Sequence, residues 1–258
     1  MTDLPPEVAQ LADEIAALRG ATAVVLGGSR ARASVEAGRD WDLGLYYRGT
    51  IDLIPLAARG TVHPPGSWGR LMNGGAWLRC GEHKVDVLLR DVDVVTHWTQ
   101  RAIDGEFEVD SLLGYLAGMP TYILAAELAS CRPLRGHPPA AIPYPDKLVA
   151  AAPPRWRFCR SFSLDCARVL ASRGNSVGAI GHAARAVIEE GHARLCERRE
   201  WMCNEKQLID AAGLAEAQSM FTRTPDASDL VEWVDLIAHR LGMSANEASP
   251  WTDAGRRA

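Results

Sequence analysis

Hydrophobic and polar positions follow helical and strand periods in the first part of the chain. Apolar residues between positions 8 and 18 recur at helical spacing, which predicts an amphipathic first helix. Short apolar runs at 23–26 and 43–47 have the length of β-strands. Two further runs, at 76–80 and 83–89, are separated only by a Gly-Glu pair, which predicts a β-hairpin. These patterns predict a small mixed sheet with helices against it.

The pattern changes near residue 108, where strand signals nearly vanish and helical spacing dominates. The predicted helices span 111–118, 120–131, 154–173, 177–200, 204–218 and 229–241. A proline-rich stretch at 133–145 is predicted to be a connector. The predicted fold is therefore an α/β (α+β) core at 1–108, followed by an all-α helical domain at 109–258.

Composition and charge argue against several classes of protein. The chain has 258 residues, a net charge of −4 and a pI near 6.0, which argues against a dedicated nucleic-acid binder. Six scattered cysteines, including one Cys-x-x-His without a second ligand pair, favour free thiols over a zinc site. With no signal-peptide or membrane-spanning pattern, we expect a cytoplasmic protein that does not enter membranes.

The turn after the first predicted strand has the composition of a phosphate-binding loop. The strand ends abruptly in Gly27-Gly28-Ser29-Arg30. Glycines let the backbone approach a ligand closely, and successive backbone N–H groups can surround a phosphate. A plain turn is the alternative interpretation.

Three aspartates follow this turn at positions suited to metal binding. Asp40 and Asp42 flank Trp41, so strand periodicity places both carboxylates on one side. Asp86 interrupts the apolar strand Val-Asp-Val-Leu-Leu, where a charge needs compensation by an ion pair or a metal. Three aspartates on two adjacent strands could hold two Mg²⁺ ions about 3.5–4 Å apart. Separately, each aspartate could also be a solvated or arginine-paired residue.

The order of these parts resembles the polymerase-β-like nucleotidyltransferase superfamily, which includes the kanamycin and lincosamide nucleotidyltransferases. Gly28-Ser29, a ten-residue gap, Asp40-x-Asp42 and a later strand Asp86 form the signature, and the resemblance covers Ala21 to about Asp93. Ala33 and Arg39 depart from the residues expected at their positions, and neither is a predicted metal ligand.

The resemblance implies a Mg²⁺-dependent enzyme that uses a nucleoside triphosphate, with ATP expected. It would transfer AMP to a hydroxyl group of a small-molecule acceptor such as an antibiotic, and release pyrophosphate. The acceptor would lie between the core and the helical domain. Two alternatives remain open: modification of a protein or an RNA end, as in some toxin–antitoxin relatives, and a non-catalytic nucleotide-binding protein on the same fold.

Further residues have more than one interpretation. Ser29 and Arg30 are predicted to contact phosphates, and Lys206 could reach the triphosphate from the second domain or be a solvated cation. Glu127, in an apolar helical stretch, is the predicted general base with Asp86 as the alternative, or is paired with an arginine. Glu189-Glu190 is interpreted as a solvated helix face. Trp68, Trp77 and Trp98 are interpreted as core residues.

Overall fold

The computed structural model describes residues 4–31, 40–223 and 225–243. The chain divides into two compact units. The first contains 1–107 and 121–143, and the second contains 108–120 and 144–258. The predicted class, an α/β core with a small mixed sheet followed by a helical domain, is confirmed. The division differs from the predicted single boundary at 108, because the chain returns to the first unit at Thr121.

A six-stranded mixed sheet forms the centre of the first unit. Its strands are β1 (Ala21–Leu26), β2 (Trp41–Tyr47), β3 (Gly60–His63), β4 (Gly75–Cys80), β5 (His83–Asp91) and β8 (Arg132–Gly136). Their order is β3-β4-β5-β2-β1-β8, and only the β2–β5 pair is parallel. The predicted 83–89 strand and its hairpin are confirmed. The proline-rich connector is corrected, because its first residues form the edge strand β8.

Helices of the first unit cover the sheet. They are α1 (Pro6–Ala16), α2 (Gly28–Ala31), α3 (Gly69–Met72), α4 (Val92–Ile103) and α5 (Ile123–Ser130), together with a 3-10 helix at Ile54–Arg59. Helix α1 buries Val8, Leu11 and Ile15 in a core shared with alternate residues of the strands. Asp91 caps α4 by accepting a hydrogen bond from the Asp93 backbone N–H at 2.9 Å.

One face of the sheet packs into this apolar core, and the other face is mixed, with buried Val25 and Tyr46 beside polar residues. Trp41, Leu43 and Leu45 of β2 and the corresponding odd-numbered residues of β5 point into the core. Because side chains alternate along a strand, Asp42 and Asp86 lie on the opposite face. That face carries the candidate site.

The second unit is helical apart from a two-residue ladder. Its elements are β6 (Val109–Asp110), β7 (Met119–Pro120), α6 (Asp146–Ser172), α7 (Ser176–Glu197), α8 (Leu208–Ala211), α9 (Ala215–Ser219), a 3-10 helix at Met220–Thr222 and α10 (Leu230–Arg240). Helices α6, α7 and α10 supply most of a second apolar core. Among the described residues, no helix is long and apolar enough to cross a membrane.

Three helix predictions in this unit are corrected. Segment 111–118 is a turn region, in which the Glu205 carboxylate accepts hydrogen bonds from the backbone N–H groups of Leu116 and Ala117 at 2.7 and 2.9 Å. Segment 204–218 contains two short helices instead of one. Helix α6 begins at Asp146 and continues through Pro153-Pro154, although prolines are unfavourable inside helices.

Candidate active site

Asp42 and Asp86 are neighbours on the two parallel strands. The register of β2 and β5 pairs Asp42 with Asp86, and both residues are partly buried. Adjacent strands lie about 4.8 Å apart, so the two carboxylates share one face at close range. Two like charges at this distance repel each other, and a divalent cation between them would relieve that repulsion.

The turn after β1 approaches Asp42 closely. The Gly27 N–H donates a hydrogen bond to the Asp42 carbonyl oxygen at 2.8 Å. Gly28 has φ +63°, and a Cβ atom there would lie 1.8 Å from Asp42 Oδ2. Only glycine combines this backbone conformation with this approach. The predicted proximity of the Gly-Gly turn and the carboxylate is therefore present.

Asp40 does not join the other two aspartates. It lies exposed immediately before β2, outside the paired register. Within residues 4–31, 40–223 and 225–243, no three His, Cys, Asp or Glu side chains form a group that could hold a metal. The predicted three-aspartate cluster is therefore not formed by these residues. Ala33 and Arg39, the two departures from the family pattern, lie outside the described residues.

The remaining donor set still fits Mg²⁺. Carboxylate oxygens are hard ligands, and Mg²⁺ in nucleotide-dependent enzymes is commonly bound by one or two carboxylates together with substrate phosphates. Asp42 and Asp86 supply two such groups. The missing side chain of Gly28 lets the Asp42 carboxylate lie directly against the turn.

Ser29 and Arg30 follow the turn as part of α2. Ser29 is partly buried beside Gly28, and its phosphate role stays a prediction. The Arg30 guanidinium carbon lies 4.1 Å from the centre of the Trp41 ring, a cation–π distance. Its role as a phosphate ligand stays a prediction.

Glu127 lies in α5 within the first unit and not in the helical domain as predicted. Its carboxylate accepts hydrogen bonds from Arg90 Nε and Nη2, both at 2.6 Å. Arg90 is buried, with 2% of its side chain exposed. This is the arginine-paired alternative. A carboxylate held by a bidentate pair is a poor general base, because both of its oxygens already accept hydrogen bonds.

Lys206, the predicted triphosphate ligand from the second domain, lies on an exposed turn before α8. Its backbone N–H donates to Asn204 Oδ1 at 3.0 Å. The placement agrees with either of its two interpretations, so its role stays a prediction.

The second unit contains a different carboxylate pair, Glu189-Glu190 of α7. Both side chains are buried, which corrects the predicted solvated face. Glu190 accepts hydrogen bonds from Arg160 at 2.9 Å and from Arg194 at 3.0 Å. Glu189 accepts from Ser163 at 2.7 Å and Arg185 at 2.8 Å, contacts that only partly offset the effect of burial, which raises its pKa.

A pocket of about 460 Å³ lies at this cluster. Its lining residues are Arg157, Arg160, Glu190, Arg194, Glu197, Leu241 and Gly242. Every charged side chain among them forms an ion pair with another one. Three arginines face two glutamates in this pocket, so the ion pairs engage every charge and leave a net charge of +1, an arrangement typical of a structural network.

His192, on the same helix, is 5% exposed and stacks on Trp156 with ring centres 4.4 Å apart. Its Nε2 atom is buried without a hydrogen-bond partner. Burial lowers the pKa of His192 to about 3, so its imidazole is neutral at physiological pH.

The interpretation of Trp77 as a core residue is wrong. Its side chain is 54% exposed, whereas Trp98 is buried. Trp77 is the Cα partner of Asp86 across the hairpin and therefore shares the face of the two aspartates. This placement of Trp77 could have been predicted from the two-residue turn of the hairpin, because the turn determines which residues of the two strands are paired.

Comparisons with known proteins add little to this geometry. No protein-family model and no curated protein sequence matches the chain. Among solved structures, the chain is similar to a nucleotidyltransferase-like protein from Exiguobacterium sibiricum 255-15. The TM-score is 0.46, with 14% sequence identity over 92% of this chain and 75% of that one. This similarity is too low to assign a function, which depends on the site residues themselves.

Proposed function

We propose that this protein transfers a nucleoside monophosphate from a nucleoside triphosphate to a hydroxyl group of a small-molecule acceptor, with release of pyrophosphate. The supporting observation is the in-register pair Asp42 and Asp86 beside the Gly28 turn. ATP is the expected donor, and an antibiotic-like molecule is the acceptor that the family resemblance suggests. The net charge of −4 also favours a small acceptor over a nucleic acid.

Asp42 and Asp86 would hold Mg²⁺ together with oxygens of the triphosphate. When bound, Mg²⁺ neutralises charge on the phosphates and makes the α-phosphorus more electrophilic. Asp42 would orient the α-phosphate through this shared coordination. The backbone of Gly27-Gly28 and the Ser29 hydroxyl would hold the pyrophosphate portion as it leaves.

The proton of the acceptor hydroxyl needs a carboxylate at the reacting face. Asp86 lies there, and an Asp86 carboxylate oxygen would take the proton as the acceptor oxygen attacks phosphorus. Glu127 is engaged with Arg90 and would not perform this step. The bond between the acceptor oxygen and the α-phosphorus forms as the bond from that phosphorus to pyrophosphate breaks, and pyrophosphate leaves with the electron pair.

The test is direct detection of product. The purified protein is incubated with each nucleoside triphosphate, Mg²⁺ and a panel of metabolites and antibiotics, and mass spectrometry searches for an acceptor heavier by one nucleoside monophosphate. We expect transfer that EDTA abolishes. Asp42→Asn should lower turnover by about 10²–10³-fold or more, with the melting temperature nearly unchanged because one of two repelling charges is removed.

Asp93→Asn is the matched control, because Asp93 is an exposed aspartate of the same unit, 69% exposed and paired with Arg48. This variant should retain wild-type turnover. Normal pyrophosphate release by Asp42→Asn would refute the proposal, as would the absence of any transfer product from the wild-type protein.

A further inference from the structure

Trp77 continues the row of residues that contains the two aspartates. It pairs with Asp86 across the β4–β5 ladder, and Asp86 pairs with Asp42 across the β5–β2 ladder. The Gly28 turn lies beyond Asp42. Strands are about 4.8 Å apart, so Trp77 lies about 5 Å from Asp86 and about 10 Å from Asp42, measured between backbones.

The Trp77 ring is exposed and yet held in place. Trp68 stacks against it with ring centres 5.6 Å apart, and His63 meets it edge-on at 4.4 Å. Gly75 makes room for this arrangement, because a Cβ atom there would lie 2.8 Å from the Trp68 ring. A large aromatic side chain that is supported and left 54% exposed is suited to contact a ligand ring.

The order along the row indicates which ligand part would reach Trp77. Displacement at phosphorus is in line, so the attacking oxygen enters opposite the leaving pyrophosphate. The pyrophosphate is assigned to the Gly28 turn at one end of the row. The acceptor therefore approaches from the other end, past Asp86, where Trp77 lies.

Charge near Trp77 restricts the acceptor further. Arg79 and Lys84 are Cα partners in the same hairpin, on the face of Trp77 and Asp86, and both are exposed. Neither side chain forms an ion pair within 4.0 Å with a residue that the structure describes. Two cations beside Trp77 disfavour a polycationic molecule there and favour a neutral or anionic one.

We propose that Trp77 is the binding platform for the acceptor. The acceptor is a neutral or anionic small molecule that presents a flat ring, or the apolar face of a sugar, next to its reacting hydroxyl. This proposal rests on the proposed transferase function and specifies the substrate class of that site.

The experiment measures binding, so it does not depend on turnover. Phenyl β-glucoside and its 6-phosphate serve as the neutral and anionic ring probes, and kanamycin serves as the polycationic probe. Each is titrated into the full-length protein with Mg²⁺ and a non-hydrolysable ATP analogue, and ligand-observed NMR gives the dissociation constants. We expect both glucosides to bind more tightly than kanamycin.

Trp77→Leu should raise the dissociation constants of both glucosides by about 5- to 100-fold, the range for loss of an aromatic stacking partner. Trp77→Phe should restore most of the affinity, and the affinity for the ATP analogue should stay unchanged in both variants. Phe158→Leu is the control, because Phe158 is an aromatic residue of α6 that is 62% exposed. Arg79→Gln with Lys84→Gln should weaken only the 6-phosphate.

Unchanged glucoside binding by Trp77→Leu, or no glucoside binding by the wild-type protein, would overturn the platform. Weaker binding of the ATP analogue by Trp77→Leu would overturn it as well, because the ring would then contact the base. Tighter binding of kanamycin than of the glucosides would refute the charge argument. A transfer product from the panel together with any of these results would leave the transferase proposal intact.

Discussion

The molecule contains two pairs of neighbouring carboxylates in opposite settings. Asp42 and Asp86 lie on adjacent strands, partly exposed, with a glycine turn against one carboxylate. Glu189 and Glu190 lie on one helix, almost fully buried, with arginine and serine donors on their oxygens. The second pair is neutralised by a surrounding set of arginines, whereas the first lies on a sheet face beside a glycine turn.

The difference shows how to separate a structural acid from a functional one. A buried carboxylate that is surrounded by guanidinium groups stabilises packing between helices, and its loss leaves cations uncompensated. A partly exposed carboxylate beside a positive-φ glycine is instead placed where a ligand can reach it. Substitutions at the two pairs should therefore change different properties, stability in one case and turnover in the other.

The largest expected effect is on stability at Glu190. Glu190→Gln keeps the shape but removes the charge that neutralises buried Arg160, and should lower the free energy of unfolding by about 3–5 kcal/mol. Urea unfolding measures this loss. Glu197→Gln is the control, since Glu197 pairs with Arg157 at 44% exposure and should cost only about 0.2–1 kcal/mol. Equal losses in the two variants would contradict the structural role of Glu190.

The next effect concerns the turn at Asp42. Gly28→Ala places a Cβ atom on Asp42 Oδ2 and should lower turnover by about 10²–10³-fold through displacement of that carboxylate. Gly66→Ala is matched to it, because Gly66 also has positive φ, +85°, but has nothing within 4 Å of the added atom. Both should lose a similar amount of stability, about 1–2 kcal/mol. Steady-state kinetics in which both variants lose activity equally would exclude the close approach as the cause.

An intermediate effect is expected at Glu127. Its substitution tests whether this residue is structural, like Glu189 and Glu190, or functional, like Asp42 and Asp86. Glu127→Gln should cost about 1.5–3 kcal/mol of stability, because buried Arg90 loses a charged hydrogen-bond partner. Turnover per folded molecule should be retained. Glu106→Gln, in a surface pair with Arg101 at 51% exposure, should have little effect on either property. A turnover loss of about 10²–10⁴-fold with full stability would restore the general-base prediction.

The smallest effect for a single step of one pH unit is a pH dependence at His192. Its pKa is about 3 in the folded chain and 6.5 ordinarily, so between these values only the unfolded chain binds the proton. Stability should fall as pH decreases below about 6.5, by up to about 1.4 kcal/mol per pH unit. His192→Phe keeps the stack on Trp156 and should reduce the dependence of unfolding free energy on pH. Urea unfolding at a series of pH values measures this dependence. His239→Gln, at an exposed position of α10, is the control. An unchanged slope in His192→Phe would show that another group causes it.

Local patterns predicted the part of the site that depends on strand order and turns. The apolar runs and the Gly-Gly turn placed Asp42 and Asp86 correctly because strand alternation determines the face of each residue. Trp77 was predictable as well, since the Gly81-Glu82 turn pairs Cys80 with His83 and hence Trp77 with Asp86. It was misinterpreted because burial of one face does not follow from hydrophobicity alone.

Features that depend on distant segments could not be predicted in this way. Helical spacing identified α7, but Glu189-Glu190 is buried because Arg160 and Ser163 come from α6. The partner of Glu127 is Arg90, 37 positions earlier in the chain. Likewise, β8 is a strand because β1 offers it an edge, although its own sequence, Arg-Pro-Leu-Arg-Gly, has little strand character.

The return of the chain to the first unit at Thr121 has a consequence for protein synthesis. The sheet gains its last strand, β8, only after 108–120 of the second unit have been made. Until Gly136 has left the ribosome, β1 presents unpaired backbone groups at the edge of an incomplete sheet, a surface that promotes aggregation. A nascent chain arrested near residue 108 should therefore remain protease-sensitive, and one arrested after Pro143 has emerged should hold a completed sheet.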